Sequence, residues 1–227
     1  MRNRLGDFLR IGNIGMTNSP LVKDLLVLTA DPTMQSTIQT LLEKRRNALG
    51  VSFFTVDFQT HRHRDSGCRT APGLVINPLQ NRYRRAMVVF DFHGSGESRR
   101  TASQLEIDLE RDLRNAGWGS DRVAVVSIDP ELEAWVFGSS AVHLEEVIGW
   151  SQPQSIRQWL ELNGHVSVGE AKPTDPQSAF DEMLRLHGTR RSRTLFARLA
   201  QRVSLARCQD RAFQKFRSTL QRWFPAQ

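Results

Sequence analysis

The chain has 227 residues, 39% of them hydrophobic and 24% charged, with a formal net charge of +7. Such a length builds one large domain or a core with an appendage, and such a balance suits a soluble globular protein. No apolar run approaches the roughly 20 residues that cross a bilayer, and Cys68 and Cys208 are too few and too isolated for a disulfide framework or a zinc site.

Met1 to Pro20 carries Arg2, Arg4 and Arg10 but no apolar h-region, so residues 1–20 read as a flexible extension rather than a signal peptide. Met16, which opens Met-Thr-Asn-Ser, is an alternative start. Asp24 to Ala30 is a first buried strand, and Asp31-Pro32-Thr33 then starts a helix with Asp31 as N-cap and Pro32 at the first helical position. Met34, Ile38, Leu41 and Leu42 form its core stripe, and Gly50 ends it. Val51 to Phe58 is β-rich and predicts a second strand, followed by a polar loop over residues 60–67. In that loop His61, His63 and Asp65 have metal-like spacing, but the interleaved arginines favour a solvated or phosphate-touching loop. Gly73 to Tyr83 is a weak helix interrupted by Pro78.

The stretch from Ala86 to Gly96 is an apolar run that ends in Asp91, His93 and two glycines, which reads as a central strand of a parallel sheet. Ligands of open α/β sheets sit beyond such strand ends. Continued extension would point Asp91 and His93 the same way. Leu105, Leu109 and Leu113 mark the next helix, and Val123 to Ile128 a fourth strand, which delivers Glu131 and Glu133 to the same edge. The alternation predicts an α/β fold: a four-stranded parallel sheet flanked by helices over residues 21–138, then a basic helical C-terminal segment over 139–227. The segments 131–137, 141–148, 155–162, 175–186, 193–201 and 207–224 read as helices. Phe213, Phe216, Leu220, Trp223 and Phe224 form a stripe that reads as core.

Charge is uneven. From Thr189 to Gln227 there are ten Arg or Lys residues against one acid, Asp210. Such asymmetry points to an anionic partner, nucleic acid or an acidic surface, with a solvated helix face as the plain alternative. Asp91 alone also reads as a strand-end turn residue, and Glu131 and Glu133 as first-turn acids favoured by a helix N-terminus.

Val88-Val89-Phe90-Asp91-Phe92-His93, the turn Pro130-Glu131-Leu132-Glu133-Ala134-Trp135 and the ending Cys208…Phe213-x-x-Phe216 carry a resemblance. Over roughly residues 24–224 the chain resembles Toprim-like bacterial proteins of the DUF4276 type, related to OLD/Toprim nucleases and associated with anti-phage defence. The resemblance implies a cation, Mg²⁺ or Mn²⁺, held by Asp91, His93, Glu131 and Glu133, with Asp91, Glu133 and Asp31 as catalytic residues. It departs from the family at two places. Leu28-Thr29-Ala30-Asp31 lacks the first-strand glutamate, and His93 replaces the second aspartate of Asp-x-Asp. A neutral imidazole suits Mg²⁺ poorly.

The expected function is therefore a cytoplasmic component of a defence system that binds nucleic acid or a partner subunit with little or no catalysis. The alternative is an active divalent-metal-dependent nuclease. Arg99, Arg100, Arg190, Arg191 and Arg193 are the candidate nucleic-acid contacts. Other subunits of a defence complex are the expected protein partners, homo-oligomers are compatible, and no membrane is involved. A small-molecule α/β enzyme is disfavoured, because Gly94-Ser95-Gly96 is not followed by the Gly-Lys-Ser/Thr of a phosphate loop.

Overall fold

A computed structural model describes residues 22–137, 141–167, 169–170, 172–202, 205 and 208–226. The expected N-terminal extension and Arg207 lie outside the described residues. Four strands, β1 (Lys23–Thr29), β2 (Val56–Thr60), β3 (Tyr83–Asp91) and β4 (Val123–Ile128), form one all-parallel sheet in the order β2-β1-β3-β4. In register, Leu25 faces Val56 on one side and Arg85 on the other, and Asp91 faces Ile128. The middle strands are apolar on both faces because helices cover both, so Leu25 to Leu28 and Ala86 to Phe90 are all buried.

Between β1 and β2 lie α1 (Pro32–Lys44) and the short α2 (Arg46–Leu49). The Asp31 carboxylate caps α1 by accepting from the N–H groups of Thr33 and Met34 (2.6 and 2.9 Å). Gly50 ends α2 at φ +74°, a left-handed conformation that glycine adopts without strain. The second strand begins later than the composition suggests. Val51 bridges Pro225, and the Ser52 N–H donates to Phe224 O (3.0 Å), so this piece is tied to the C-terminus before β2 starts.

The expected polar loop is in part helical. Residues Arg64–Thr70 form α3, and His61 is buried beside Gly67, where a Cβ would stand 2.0 Å from the imidazole Nδ1. The weak helix before β3 resolves into α4 (Gly73–Ile76) and a 3₁₀ turn over Asn77–Leu79, because Pro78 offers no N–H to continue the ladder. Between β3 and β4 runs α5 (Ala102–Leu113), opened by a reciprocal Thr101–Gln104 capping box.

β4 is an edge strand, and α5 closes that edge with side chains. The Ser127 N–H donates to Glu106 Oε1 (2.7 Å) and the Val125 N–H to Glu110 Oε1 (3.0 Å). A two-residue strand step of about 6.6 Å matches the roughly 6 Å rise between i and i+4 on a helix, so the carboxylates fall opposite alternate amides. Arg211 and Lys215 neutralise them from the other side: Arg211 reaches Glu106 (2.8 Å), and Lys215 reaches Glu106 (3.1 Å) and Glu110 (2.8 Å). An otherwise unpaired strand edge is thereby blocked against another chain.

After β4 come α6 (Glu133–Phe137), α7 (Ala141–Ile148), α8 (Ile156–Leu162), α9 (Pro176–Leu186), α10 (Arg193–Arg202) and α11 (Arg211–Trp223). These helices do not stand apart from the sheet. α10 packs on α1 and α11 on β4, and Phe196, Phe213 and Phe216 belong to one continuous core with Leu25 and Val125. Trp135 joins the halves, its indole N–H donating to Asp210 Oδ1 (3.0 Å), the acid that also caps α11 through the Phe213 N–H (3.1 Å). Cys68 and Cys208 are buried free thiols, and burial pushes Cys208 up to about 11 and Cys68 higher still. Among the described residues no helix is long and apolar enough to cross a membrane.

Candidate functional site

All four strands point their carboxyl ends to one edge, and acids gather there. Asp31 follows β1, Asp65 lies in the first turn of α3 after β2, Asp91 is the last residue of β3, Glu131 follows β4, and Glu133 opens α6. The Asp91 N–H donates to Asp65 Oδ1 (2.8 Å), which ties the ends of β2 and β3 together. A Cβ on Gly94 would stand 2.7 Å from Asp65 Oδ2, so the turn after β3 approaches this carboxylate only because residue 94 is glycine.

Burial dominates the electrostatics. Asp91 Oδ1 is shielded from solvent and has no hydrogen-bond partner among the described residues. Burial first, then the negative fields of Asp65, Asp31 and Glu131, raise its pKa well above the ordinary carboxylate value, with the Leu132 N–H opposing in part. Asp65 is raised by burial and Asp31, against the lowering pull of the Asp91 N–H. Glu131 is raised by burial and Asp175, against a hydrogen bond from the Gln177 N–H (2.9 Å) and the fields of His93 and Arg191.

One cation enters this cluster. Arg191 is ion-paired with Glu133, whose side chain is 1% exposed, and with Asp181 (3.2 Å). It also lies in the attractive fields of Glu131, Asp91 and Asp31, while burial lowers its own pKa. Gln177, with its amide turned to suit its neighbours, spans the two signs: its nitrogen donates to Glu131 Oε2 (3.1 Å) and its oxygen accepts from Arg191 Nη1 (3.0 Å).

The expected sites are distributed as follows. Asp91, Glu131 and Glu133 sit at the acidic edge. Asp31 is there too, but one of its oxygens is spent on capping α1 and the other faces Arg64 at 3.8 Å. His93 does not extend alongside Asp91. Phe92 leaves the strand conformation at φ −62°, ψ −47°, and His93 opens a 3₁₀ turn as an exposed residue whose N–H donates to Pro130 O (3.0 Å).

A divalent cation needs several hard oxygen donors at one point. Among the described residues no three His, Cys, Asp or Glu side chains form such a group. Glu133 faces a guanidinium, Asp31 serves as a cap and His93 turns outward, so in this arrangement the residues present do not fit Mg²⁺ or Mn²⁺. What the edge does in this arrangement is hold a protonatable carboxyl, Asp91, beside a guanidinium-neutralised one.

The arginines expected to meet nucleic acid differ in availability. Arg100 is clamped by Glu97 (2.7 and 3.0 Å) and Asp108 (3.1 Å), and Arg191 is committed to the acids. Arg99, Arg190 and Arg193 are exposed and have no carboxylate partner among the described residues. Of the other tail cations, Arg211 and Lys215 serve the β4 edge, and Arg222 faces Asp121 (3.3 Å).

Gln177 and the inward role of Arg191 escape sequence reasoning, and Asp65 stands out there only for its spacing from His61 and His63, not for its place at the acidic edge. Asp65 stands in a His- and Arg-rich segment, and Arg191 in a basic linker, so each local context advertises a solvated residue. No protein-family model, curated protein or solved structure matches this chain.

Proposed function

We propose that this protein is a Toprim-like, cytoplasmic component of a bacterial anti-phage defence system, acting by binding nucleic acid or a partner subunit with little or no catalysis. The observation that carries this reading is the Arg191 guanidinium, which meets Glu133 and lies in the fields of Glu131, Asp91 and Asp31, where the resemblance implies a divalent metal. The parallel sheet with its carboxyl-edge acids supports the family assignment, and the absent first-strand glutamate supports the loss of chemistry. A second reading, a divalent-metal-dependent nuclease, is favoured by the buried Asp91 Oδ1 and the two buried Glu133 oxygens, which have no hydrogen-bond partner among the described residues.

Incubation of the purified protein with plasmid DNA and with RNA, in Mg²⁺ or Mn²⁺, separates the two. The binding reading expects intact substrates and a complex whose affinity falls steeply as salt rises. Cleavage that Asp91→Ala abolishes would instead establish the nuclease, and a protein that binds neither nucleic acid nor any product of a neighbouring gene sinks the binding reading.

A further inference from the structure

Arg46 and Phe53 form a second feature, at the opposite edge of the sheet from the acids. Phe53 is 76% exposed, although Val51 and Phe54 beside it in the chain are buried. Its backbone is not free to tuck the ring away. Val51 is bridged to Pro225, the Ser52 N–H is bonded to Phe224 O, and Phe54 is stacked on Phe224 with ring centroids 4.0 Å apart. With Phe54 turned into the core, Phe53 is turned out. The Arg46 guanidinium lies 4.6 Å over the Phe53 ring, so a cation and an aromatic plane are already stacked before any ligand arrives.

Beside this pair runs a groove of about 550 Å³, lined by Lys44, Arg45, Arg46, Asn47 and Ser52 as well as Phe53. Its one acid, Glu43, accepts from Gln39 (2.8 Å). Arg45 is directed inward, donating to the Ala200 and Gln201 carbonyls, whereas Lys44 is exposed with no carboxylate partner among the described residues. Next to its lining residue Ala48, the Leu49 carbonyl accepts from Gln221 and Arg217 of α11 (2.7 and 3.5 Å). The groove thus has a flat aromatic surface, a guanidinium plane and an exposed ammonium, on a backbone tied to α11.

We propose that this groove binds single-stranded nucleic acid, with Phe53 stacking an unpaired base and Lys44 and Arg46 meeting the backbone phosphates. The inference rests on the nucleic-acid branch of the function proposed above and gives it a surface. A duplex keeps its bases stacked on each other and has no free face to offer the ring, so single strands are the matching form. An acidic peptide would satisfy the cations but would leave the exposed ring unused.

The test is fluorescence anisotropy of labelled oligo-dT and oligo-rU of about 20 nucleotides with the full-length protein, between about 50 and 200 mM salt. Phe53→Ala is expected to weaken binding about tenfold with little change in salt slope, because it removes stacking and no charge. Lys44→Gln and Arg46→Gln are expected to weaken binding and flatten the slope. Arg190→Gln with Arg193→Gln probes the competing basic surface and is expected to weaken binding less than Lys44→Gln or Arg46→Gln does. Thermal melts check that each variant is folded, and the exposure of Phe53 makes that the expected result. Binding that persists in Phe53→Ala, or that polyglutamate competes away as well as oligo-dT does, overturns the site. If binding is instead lost only in the Arg190/Arg193 variant, this groove is wrong while nucleic-acid binding stands. If neither oligonucleotide binds even at low salt, this groove is wrong, while the proposed function is still decided by plasmid, RNA and partner binding.

Discussion

Arg191 and Glu133 form an ion pair in which the carboxylate is sealed from water and the guanidinium reaches it from the segment before α10. The guanidinium is itself shared with Asp181 and steadied by Gln177, so the pair is the centre of a small network and not an isolated contact. Burying a lone carboxylate is far more costly than burying a paired one, which makes Glu133 dependent on Arg191 for its charge.

Arg191→Ala should therefore destabilise the protein by about 3 kcal/mol, because it strands the buried charge of Glu133. In a Glu133→Gln background the same substitution should cost about 1 kcal/mol or less, since no charge remains to be stranded. Urea denaturation of the four proteins in a double-mutant cycle gives the coupling directly. Equal losses in both backgrounds would mean that the pair carries no coupling.

Asp91 sets a pH dependence of definite sign. Its folded pKa is raised, chiefly by burial and then by Asp65, so the folded state holds its proton over a range where the unfolded chain has released it. Stability from this group is greatest below the ordinary carboxylate value and falls as pH rises towards the raised folded value. Asp65 and Glu131, both raised, add in the same direction. Asp91→Asn is expected to raise Tm at pH about 8 by about 3–6 °C and to make little difference at pH about 3, below the ordinary carboxylate value, where the carboxyl mostly keeps its proton in both states. Melts across that pH span decide it, and a variant less stable than the parent at pH about 8 would contradict the assignment.

Glu106 is held from two elements at once. It accepts from the Ser127 N–H of the sheet edge and from both Arg211 and Lys215. Glu106→Gln keeps an acceptor for the amide and should cost about 1–2 kcal/mol, whereas Glu106→Leu leaves the Ser127 amide without its acceptor and Arg211 without its carboxylate and should cost about 3–5 kcal/mol. Denaturant titration of the two variants tests the ordering, and equal losses would contradict it.

Asp210 explains the Trp135 turn in structural terms. One carboxylate oxygen takes the indole N–H and caps α11, and the other takes Lys172 Nζ (2.8 Å). Asp210→Ala should cost about 2–4 kcal/mol from the lost cap and the unpaired indole, and Asp210→Asn much less. The Trp135→Phe variant should reduce the penalty of Asp210→Ala, which thermal melts of the double variant would reveal.

Local pattern carried a large part of the architecture. The apolar runs at Leu25 to Leu28, Ala86 to Phe90 and Val123 to Ile128 are buried strands, and Asp31 and Gly50 bound the α1–α2 segment as cap and stop. Val51 misled because a β-rich composition does not say which partner a segment pairs with, and here the partner is Pro225. His93 misled because extension beyond Asp91 was assumed, whereas the chain turns at Phe92 to meet Pro130.

By itself the amino-acid sequence determined the α/β alternation, the parallel sheet and the delivery of Asp91, Glu131 and Glu133 to one edge, because hydrophobic period, caps and turn residues act over a few neighbours. The tertiary structure decided what those acids face. Whether Arg191 lies in solvent or against Glu133, and whether Phe53 is turned in or out, depends on contacts between residues far apart in the chain. Desolvation and ion pairing are set by that three-dimensional neighbourhood, which no local spacing records.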